Sequence, residues 1–243
     1  MESGDTGSLP LDKRGQAIRD MFAGVAPRYD LLNRLLSGRL DVVWRRRAAA
    51  ALAGPGGLRG PVLDLCCGTG DQALALRRLG LRVAAADFCL PMLALARRKY
   101  ARVPAPRPRG LAADALALPF ADSSLAGATV AFGLRNVADL DQALREIARV
   151  LEPGGRLVAL EFALPRRRPW RALYLFYFRR LLPRVGRLLS AHRSAYTYLP
   201  SSVLEFPQRQ GFLDRLAAAG FAEVACRDLA AGVVCLYQGR RPA

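Results

Sequence analysis

The chain has 243 residues, 52% of them hydrophobic, which excludes global disorder and suits one principal domain with a smaller appended element. No window reaches the roughly 18 apolar residues of a membrane helix, and Met1–Asp12 has no apolar signal core, so a cytoplasmic protein is expected. The net charge of +17 is almost all arginine, since Lys13 and Lys99 are the only lysines, and the basic residues lack the interleaved aromatics of a base-stacking surface, so no nucleic acid partner is expected.

Residues 1–12 read as a flexible tail. Helical patterns run from about Lys13 to Ser37 and from Asp41 to Ala53, ending at the breaker Gly54-Pro55-Gly56-Gly57, so that residues 13–57 form a helical cover ahead of a main domain at 58–243. A strand at 62–66, a helix at 71–79, a strand at 82–87 and a helix at 91–100 follow. After a proline-rich loop at 103–109 come strands at 110–113 and 126–132, a helix at 139–151 and a strand at 156–162. This alternation predicts an α/β fold, a mostly parallel sheet covered by helices on both faces. An insertion at about 165–205 breaks the rhythm. From Pro165 to Tyr198 it places Arg166, Arg167, Arg168, Arg179, Arg180, Arg184 and Arg187 among Trp170, Leu173, Tyr174, Phe176, Tyr177 and Phe178. Such a segment suits an anionic membrane surface or a greasy substrate channel, and equally a core-packing helix with a solvated arginine face. A helix at 208–219 and strands at 221–228 and 232–239 complete the sheet. The five cysteines, Cys66, Cys67, Cys89, Cys226 and Cys235, contain no C-x-x-C pair; they read as buried thiols, and no disulfide framework or metal site is expected. His192, the single histidine, reads as a surface residue.

The stretch Val62-Leu63-Asp64-Leu65-Cys66-Cys67-Gly68-Thr69-Gly70-Asp71 joins an apolar strand to a glycine turn and a helix start, a nucleotide-site pattern. Gly68-x-Gly70-x-x-Ala73 satisfies the dinucleotide fingerprint, but Asp71 stands where a pyrophosphate would sit on the helix N-terminus, and two like charges repel in a partly dehydrated site. The acidic frame therefore favours a cationic cofactor, S-adenosylmethionine, with Asp64, Gly68, Thr69 and Gly70 at the turn. Asp87, at the end of the next strand, is placed to accept ribose hydroxyls. The alternative is that Asp64 and Asp71 cap the following helix and Asp87 ends a strand in solvent.

Three further motifs are more specific. Tyr29-Asp30-x-x-Asn33-x-x-Leu36-Ser37 with Trp44, then Phe132-Gly133-Leu134-Arg135-Asn136, then Arg149-Val150-Leu151-x-Pro153-Gly154-Gly155-Arg156 strongly resemble the ubiquinone/menaquinone biosynthesis C-methyltransferase family over roughly residues 15–240. The family usually has His at Asp41, Lys at Glu152 and Ser at Ala163, and several members have Ser at Ala131. The resemblance implies a class I S-adenosylmethionine-dependent methyltransferase fold, Rossmann-like, with a seven-stranded sheet whose last strand is antiparallel. It implies that Thr69, Asp87, Asp114 and Ala115 match cofactor-binding positions, Asp114 taking the adenine amino group; read without it, Asp114 is a turn cap. It further implies C-methylation of demethylmenaquinol, with a polyprenyl methoxybenzoquinol or a non-catalytic scaffold in a quinone-pathway assembly as alternatives. Ring methylation needs a phenolate, so Arg135 is expected to stabilise that charge or polarise a water, with Asn136 positioning the hydroxyl. A structural salt bridge from Arg135 to Asp139 is the competing role. Phe22, Tyr29 and Tyr196 are expected at the substrate, whose polyprenyl tail enters past an apolar cover. The partners expected are thus the quinol and an anionic membrane surface, with the protein peripheral at the inner face of the membrane and a homo-oligomer left open.

Overall fold

The computed structural model describes residues 15–181 and 194–243; the expected tail at 1–12 and His192 lie outside them. Seven strands form one sheet in the order β3-β2-β1-β4-β5-β7-β6. These are β1 (Val62–Leu65), β2 (Val83–Asp87), β3 (Arg109–Ala112), β4 (Leu125–Ala131), β5 (Leu151–Phe162), β6 (Ala222–Leu229) and β7 (Val234–Arg240). All neighbours pair in parallel except β7, which runs antiparallel to both β5 and β6. Every residue of β1 and β4 is buried, as expected of central parallel strands covered on both faces, and this makes their sequences continuous apolar runs. Strand order reverses between β1 and β4, so a crevice opens beyond their carboxyl ends.

The covering helices are α1 (Gly15–Val25), α2 (Tyr29–Leu36), α3 (Leu40–Ala53), α4 (Asp71–Arg77), α5 (Leu90–Ala101), α6 (Leu140–Val150), α7 (Arg168–Phe176), α8 (Ser194–Glu205) and α9 (Gln210–Ala218). The single helix expected over Lys13–Ser37 is divided: Pro27 sits in a 3-10 turn, Ala26–Arg28, that separates α1 from α2. Proline has no amide hydrogen and disfavours helical backbone before it, so the chain turns there. That turn wraps α1 and α2 around the crevice.

The insertion packs as a core-facing amphipathic segment on its inner side. Tyr174 of α7, Phe178 of the following π-helical turn and Val203 of α8 are buried with Leu32 of α2. The Tyr177 hydroxyl donates to the Leu36 carbonyl at 3.2 Å. Its outer side keeps the other character, with Trp170, Leu173 and Phe176 exposed beside Arg171 and Arg180. Arg184 and Arg187 fall outside the described residues, as do the side chains of Arg179 and Tyr196.

Candidate active site

Two adjoining cavities open at the crevice, of about 280 Å³ and 170 Å³, with Phe22, Tyr29, Arg45 and Phe132 in the walls of both. The first lies over the glycine turn. Gly68 has φ +52°, and a Cβ there would meet nothing within 4 Å, so the backbone faces open space on this side. Cys66 and Phe132, non-glycine residues just past β1 and β4, also have positive φ, at 52° and 65°. Left-handed backbone at both strand ends is local strain of the kind that collects at binding sites. Gly133 permits the two loops to meet, since a Cβ there would approach the Cys66 Cβ to 2.4 Å.

Asp87 is buried, and its two oxygens accept the backbone N–H of Gly68 at 2.7 Å and of Cys89 at 2.8 Å. Burial raises its carboxyl above the ordinary value, with the backbone donors opposing. A carboxylate has about four acceptor positions, so two remain for a ribose diol in the cavity that Asp87 lines. Asp114 and Ala115 line the same cavity; one Asp114 oxygen caps its own turn, accepting the Leu116 N–H at 3.0 Å. Thr69 lines it too, but its hydroxyl donates to Asp30 of α2 at 2.5 Å.

Three expectations change. Asp64 does not border the cavity: it is buried under the turn, where the Thr129 hydroxyl on the neighbouring strand donates to it at 3.2 Å. Asp64 is the penultimate residue of β1, so its side chain leaves the sheet on the face opposite that of Leu65, which does line the cavity. Gly70 likewise stays out of the cavity wall, at the N-terminus of α4 with φ 84°. Asp71 does border the cavity, but it is no bare charge. Lys99 binds it at 2.6 Å and Arg34 approaches to 3.5 Å, and although burial works against it these cations hold its carboxyl below the usual value. Repulsion of a pyrophosphate by Asp71 is therefore largely neutralised and does not by itself exclude a dinucleotide.

The second cavity is walled mostly by apolar and aromatic side chains, among them Leu32, Trp44, Phe162, Tyr174 and Phe178. Two cations stand in its wall, Arg45 and Arg135. Arg135 is held by its neighbours. Its Nη1 donates to the Phe132 carbonyl at 2.6 Å and to Glu161 at 2.8 Å, and its Nε has no partner. The Glu161 carboxylate is wholly buried, so the ion pair is dry; burial alone would make Arg135 a stronger acid, but Glu161 outweighs it and pushes its pKa up. The competing role, a structural salt bridge to a loop carboxylate such as Asp139, thus has a counterpart, but its acid is Glu161 of β5, while Asp139 caps α6 by accepting the Gln142 N–H at 2.9 Å. Asn136 turns the other way, into the first cavity, where its Oδ1 is buried without a partner. Consecutive residues of the 3-10 turn Leu134–Asn136 point about 120° apart, which sends Arg135 and Asn136 to different cavities.

Arg45, Lys99 and Glu161 were not singled out from the sequence. Glu161 had a signal, as the one acid in the apolar run Leu157–Phe162; Lys99 and Arg45 had none beyond their position on helices. Elsewhere Cys226, Asp228 and Cys235 place their ligating atoms within 4.8 Å of one another, but Asp228 is already paired with Arg166 and Arg209, two cations that oppose a metal ion.

The first cavity fits S-adenosylmethionine on the chain's own chemistry: free acceptor positions on Asp87, an unsatisfied buried Asn136 oxygen and an open glycine backbone. Comparison with known proteins agrees. A model of the ubiE/COQ5 methyltransferase family matches residues 11–241. The chain is 50% identical over 224 residues to the demethylmenaquinone methyltransferase of Thermus thermophilus, spanning 91% of this chain and 100% of that protein. It is 46% identical over 235 residues to the ubiquinone/menaquinone biosynthesis C-methyltransferase UbiE of Geobacter sulfurreducens, spanning 95% and 91%. Among solved structures, magnesium protoporphyrin IX methyltransferase from Synechocystis with bound SAH superposes with TM-score 0.63 at 18% identity, covering 93% of this chain and 99% of that one. The [4+2]-cyclase SpnF gives 0.65 at 18%, covering 99% and 100%. At such identity these neighbours establish the class I methyltransferase fold and leave the reaction open. With the family model matched almost end to end and relatives aligned over nearly their full length, the chain belongs to the ubiE/COQ5 methyltransferase family and is an S-adenosylmethionine-dependent C-methyltransferase.

Proposed function

We propose that the protein methylates a ring carbon of demethylmenaquinol, giving menaquinol, in isoprenoid quinone biosynthesis. The observation that carries this reading is the wall of Phe22, Tyr29, Arg45 and Phe132 common to a polar, acid-framed cavity and an aromatic one, which brings a cofactor and a flat apolar ring together at one opening. The name of the Thermus relative supports the naphthoquinol as substrate. Asp87, Asp114 and Ala115 hold the adenosine. Bound there, S-adenosylmethionine supplies an electrophilic methyl group. The chain supplies the rest: Phe132, Phe162 and Trp44, packed against one another, form an aromatic wall that takes one face of the ring and excludes water, and Arg135, oriented by Glu161 and the Phe132 carbonyl, stabilises the phenolate that makes the ring carbon nucleophilic. Arginine stays protonated, so its role is charge stabilisation, with the proton passing to water.

The polyprenyl tail leaves the second cavity between the helices that wall it. Outer faces of these helices expose Leu31, Leu35, Leu40, Trp170, Leu173 and Phe176 near arginines, a surface suited to the cytoplasmic face of an anionic membrane. Among the described residues no helix is long and apolar enough to cross a membrane, so attachment is peripheral in this reading.

The test is methyl transfer by purified protein from methyl-labelled S-adenosylmethionine, in detergent, to demethylmenaquinol and separately to the polyprenyl methoxybenzoquinol of the ubiquinone route. The expected product is ring-labelled menaquinol. Label appearing only in the benzoquinol overturns the choice of nucleus, and cofactor binding without transfer to either quinol points to a scaffold.

A further inference from the structure

We infer that Arg45 receives the carboxylate at the amino-acid end of S-adenosylmethionine and so anchors that end at the wall between the two cavities. Arg45 follows Trp44 on α3 and borders both cavities. Its guanidinium lies 5.4 Å over the Phe132 ring, and its Nε is buried with no hydrogen-bond partner. A desolvated donor of this kind is costly unless something binds it, and no group among the described residues does.

Among the described residues, the other cations around the two cavities are paired with acids, Arg19 excepted, although Arg135 also keeps its Nε without a partner. Lys99 bridges Asp30 and Asp71, Arg34 faces Asp71, and Arg135 is paired with Glu161. Arg19 lies over Phe88, 5.9 Å from its centroid, and Phe88 directly follows Asp87 at the ribose end. Arg45 by contrast acts electrostatically on Asp64 and Asp71, which flank the glycine turn. The cofactor, held by Asp87 and Asp114 at its adenosine, has one anionic group left at its other end. A planar guanidinium matches a carboxylate as a two-pronged donor, and the Phe132 face beneath holds its plane in place. The rival role is that Arg45 serves the second cavity and binds a quinol oxygen.

This inference rests on the cofactor and not on the choice of quinol, so its test uses cofactor-side ligands alone. Calorimetry compares S-adenosylhomocysteine with methylthioadenosine, which keeps the adenosine and thioether but lacks the amino-acid carboxylate. Arg45→Met is expected to weaken S-adenosylhomocysteine by roughly 10- to 100-fold, the scale of a lost charge-assisted pair, and to leave methylthioadenosine within about twofold. Arg45→Lys should recover part of the loss. An equal loss for both ligands overturns the inference in favour of packing against Phe132, and unchanged S-adenosylhomocysteine affinity overturns it in favour of the quinol. Should Arg45→Met fail to fold, wild type and Arg45→Lys titrated with S-adenosylhomocysteine and its decarboxylated analogue decide the matter: preference for the carboxylate that shrinks in Arg45→Lys supports the inference, and equal preference in both overturns it.

Discussion

Arg135 is bound to its surroundings through a buried partner, and that changes how its chemistry has to be tested. Removing the guanidinium alone leaves Glu161 buried and uncompensated, a defect on the order of 3–5 kcal/mol, so a slow Arg135→Ala enzyme would say nothing about phenolate stabilisation. Removing both charges, as Arg135→Met with Glu161→Gln, avoids the orphan. The single variant is expected to lose stability by about that amount and the double variant to regain most of it, while kcat in the double variant stays roughly 10²-fold down at unchanged S-adenosylmethionine affinity. Near-normal turnover in the double variant would remove Arg135 from the mechanism. Asp64 offers a test by pH. Burial lifts its carboxyl from 3.8 to about 7, against the pull of Arg45 and the Thr129 hydroxyl. The folded state holds this proton more tightly than the unfolded chain, so its contribution is fully present below about pH 4 and is lost as pH rises towards 7. Asp64→Asn removes that slope. Relative to wild type it should gain stability between about pH 4 and pH 8, by up to about 4 kcal/mol, and denaturant titrations along that range measure it. A difference independent of pH would mean that Asp64 titrates normally.

At the scale of elements, the feature that joins cover to cofactor turn is an ion network across α2, the turn after β1, and α5. Lys99 binds Asp30 at 2.5 Å and Asp71 at 2.6 Å, and Asp30 also accepts the Thr69 hydroxyl. The charged groups here are partly solvated, so each ion pair contributes about 1 kcal/mol or less, and salt weakens it. Lys99→Met leaves two carboxylates facing each other and should release α2: hydrogen exchange over Tyr29–Leu36 is expected to accelerate, and S-adenosylhomocysteine binding to weaken a few-fold, more clearly at low salt. Exchange unchanged in α2 would show that apolar packing through Leu32 alone holds the cover. The network also explains what could be read in advance. Strands, their order of type and the glycine turn were legible because period, continuous burial and turn residues are local signals. The break at Pro27 is equally local: proline there divides in two what the helical pattern alone reads as one helix. The ion pairs were not legible: Thr69 meets Asp30 across 39 positions and Lys99 meets Asp71 across 28, and only the folded sheet brings them together. Asp71 therefore reads as a free charge in the sequence, because its cation lies a whole βα unit away.

For the whole molecule, the net charge of +17 and the apolar side chains exposed on α2, α3 and α7 would serve one end in the proposed function, reaching a substrate whose tail resides in lipid. Each contribution alone is weak. A basic residue near an anionic surface is worth about 1 kcal/mol and acts only within a Debye length of about 8 Å at physiological ionic strength, so charge should steer the protein to the membrane while Trp170, Leu173 and Phe176 hold it there. The two contributions separate experimentally. Vesicles containing anionic lipid should recruit the protein, raised salt should release most of it, and neutral vesicles should retain little. Trp170→Ala with Leu173→Ala and Phe176→Ala, all exposed positions on α7, should lower recruitment even at low salt and raise KM for a long-tailed quinol, while leaving S-adenosylhomocysteine affinity and turnover of a short-tailed quinol analogue in detergent near wild type. Equal partitioning to neutral and anionic vesicles would leave the charge without a membrane role. Recruitment unaffected by the α7 changes would move the contact to another face, and the polyprenyl tail would then need a different exit from the second cavity.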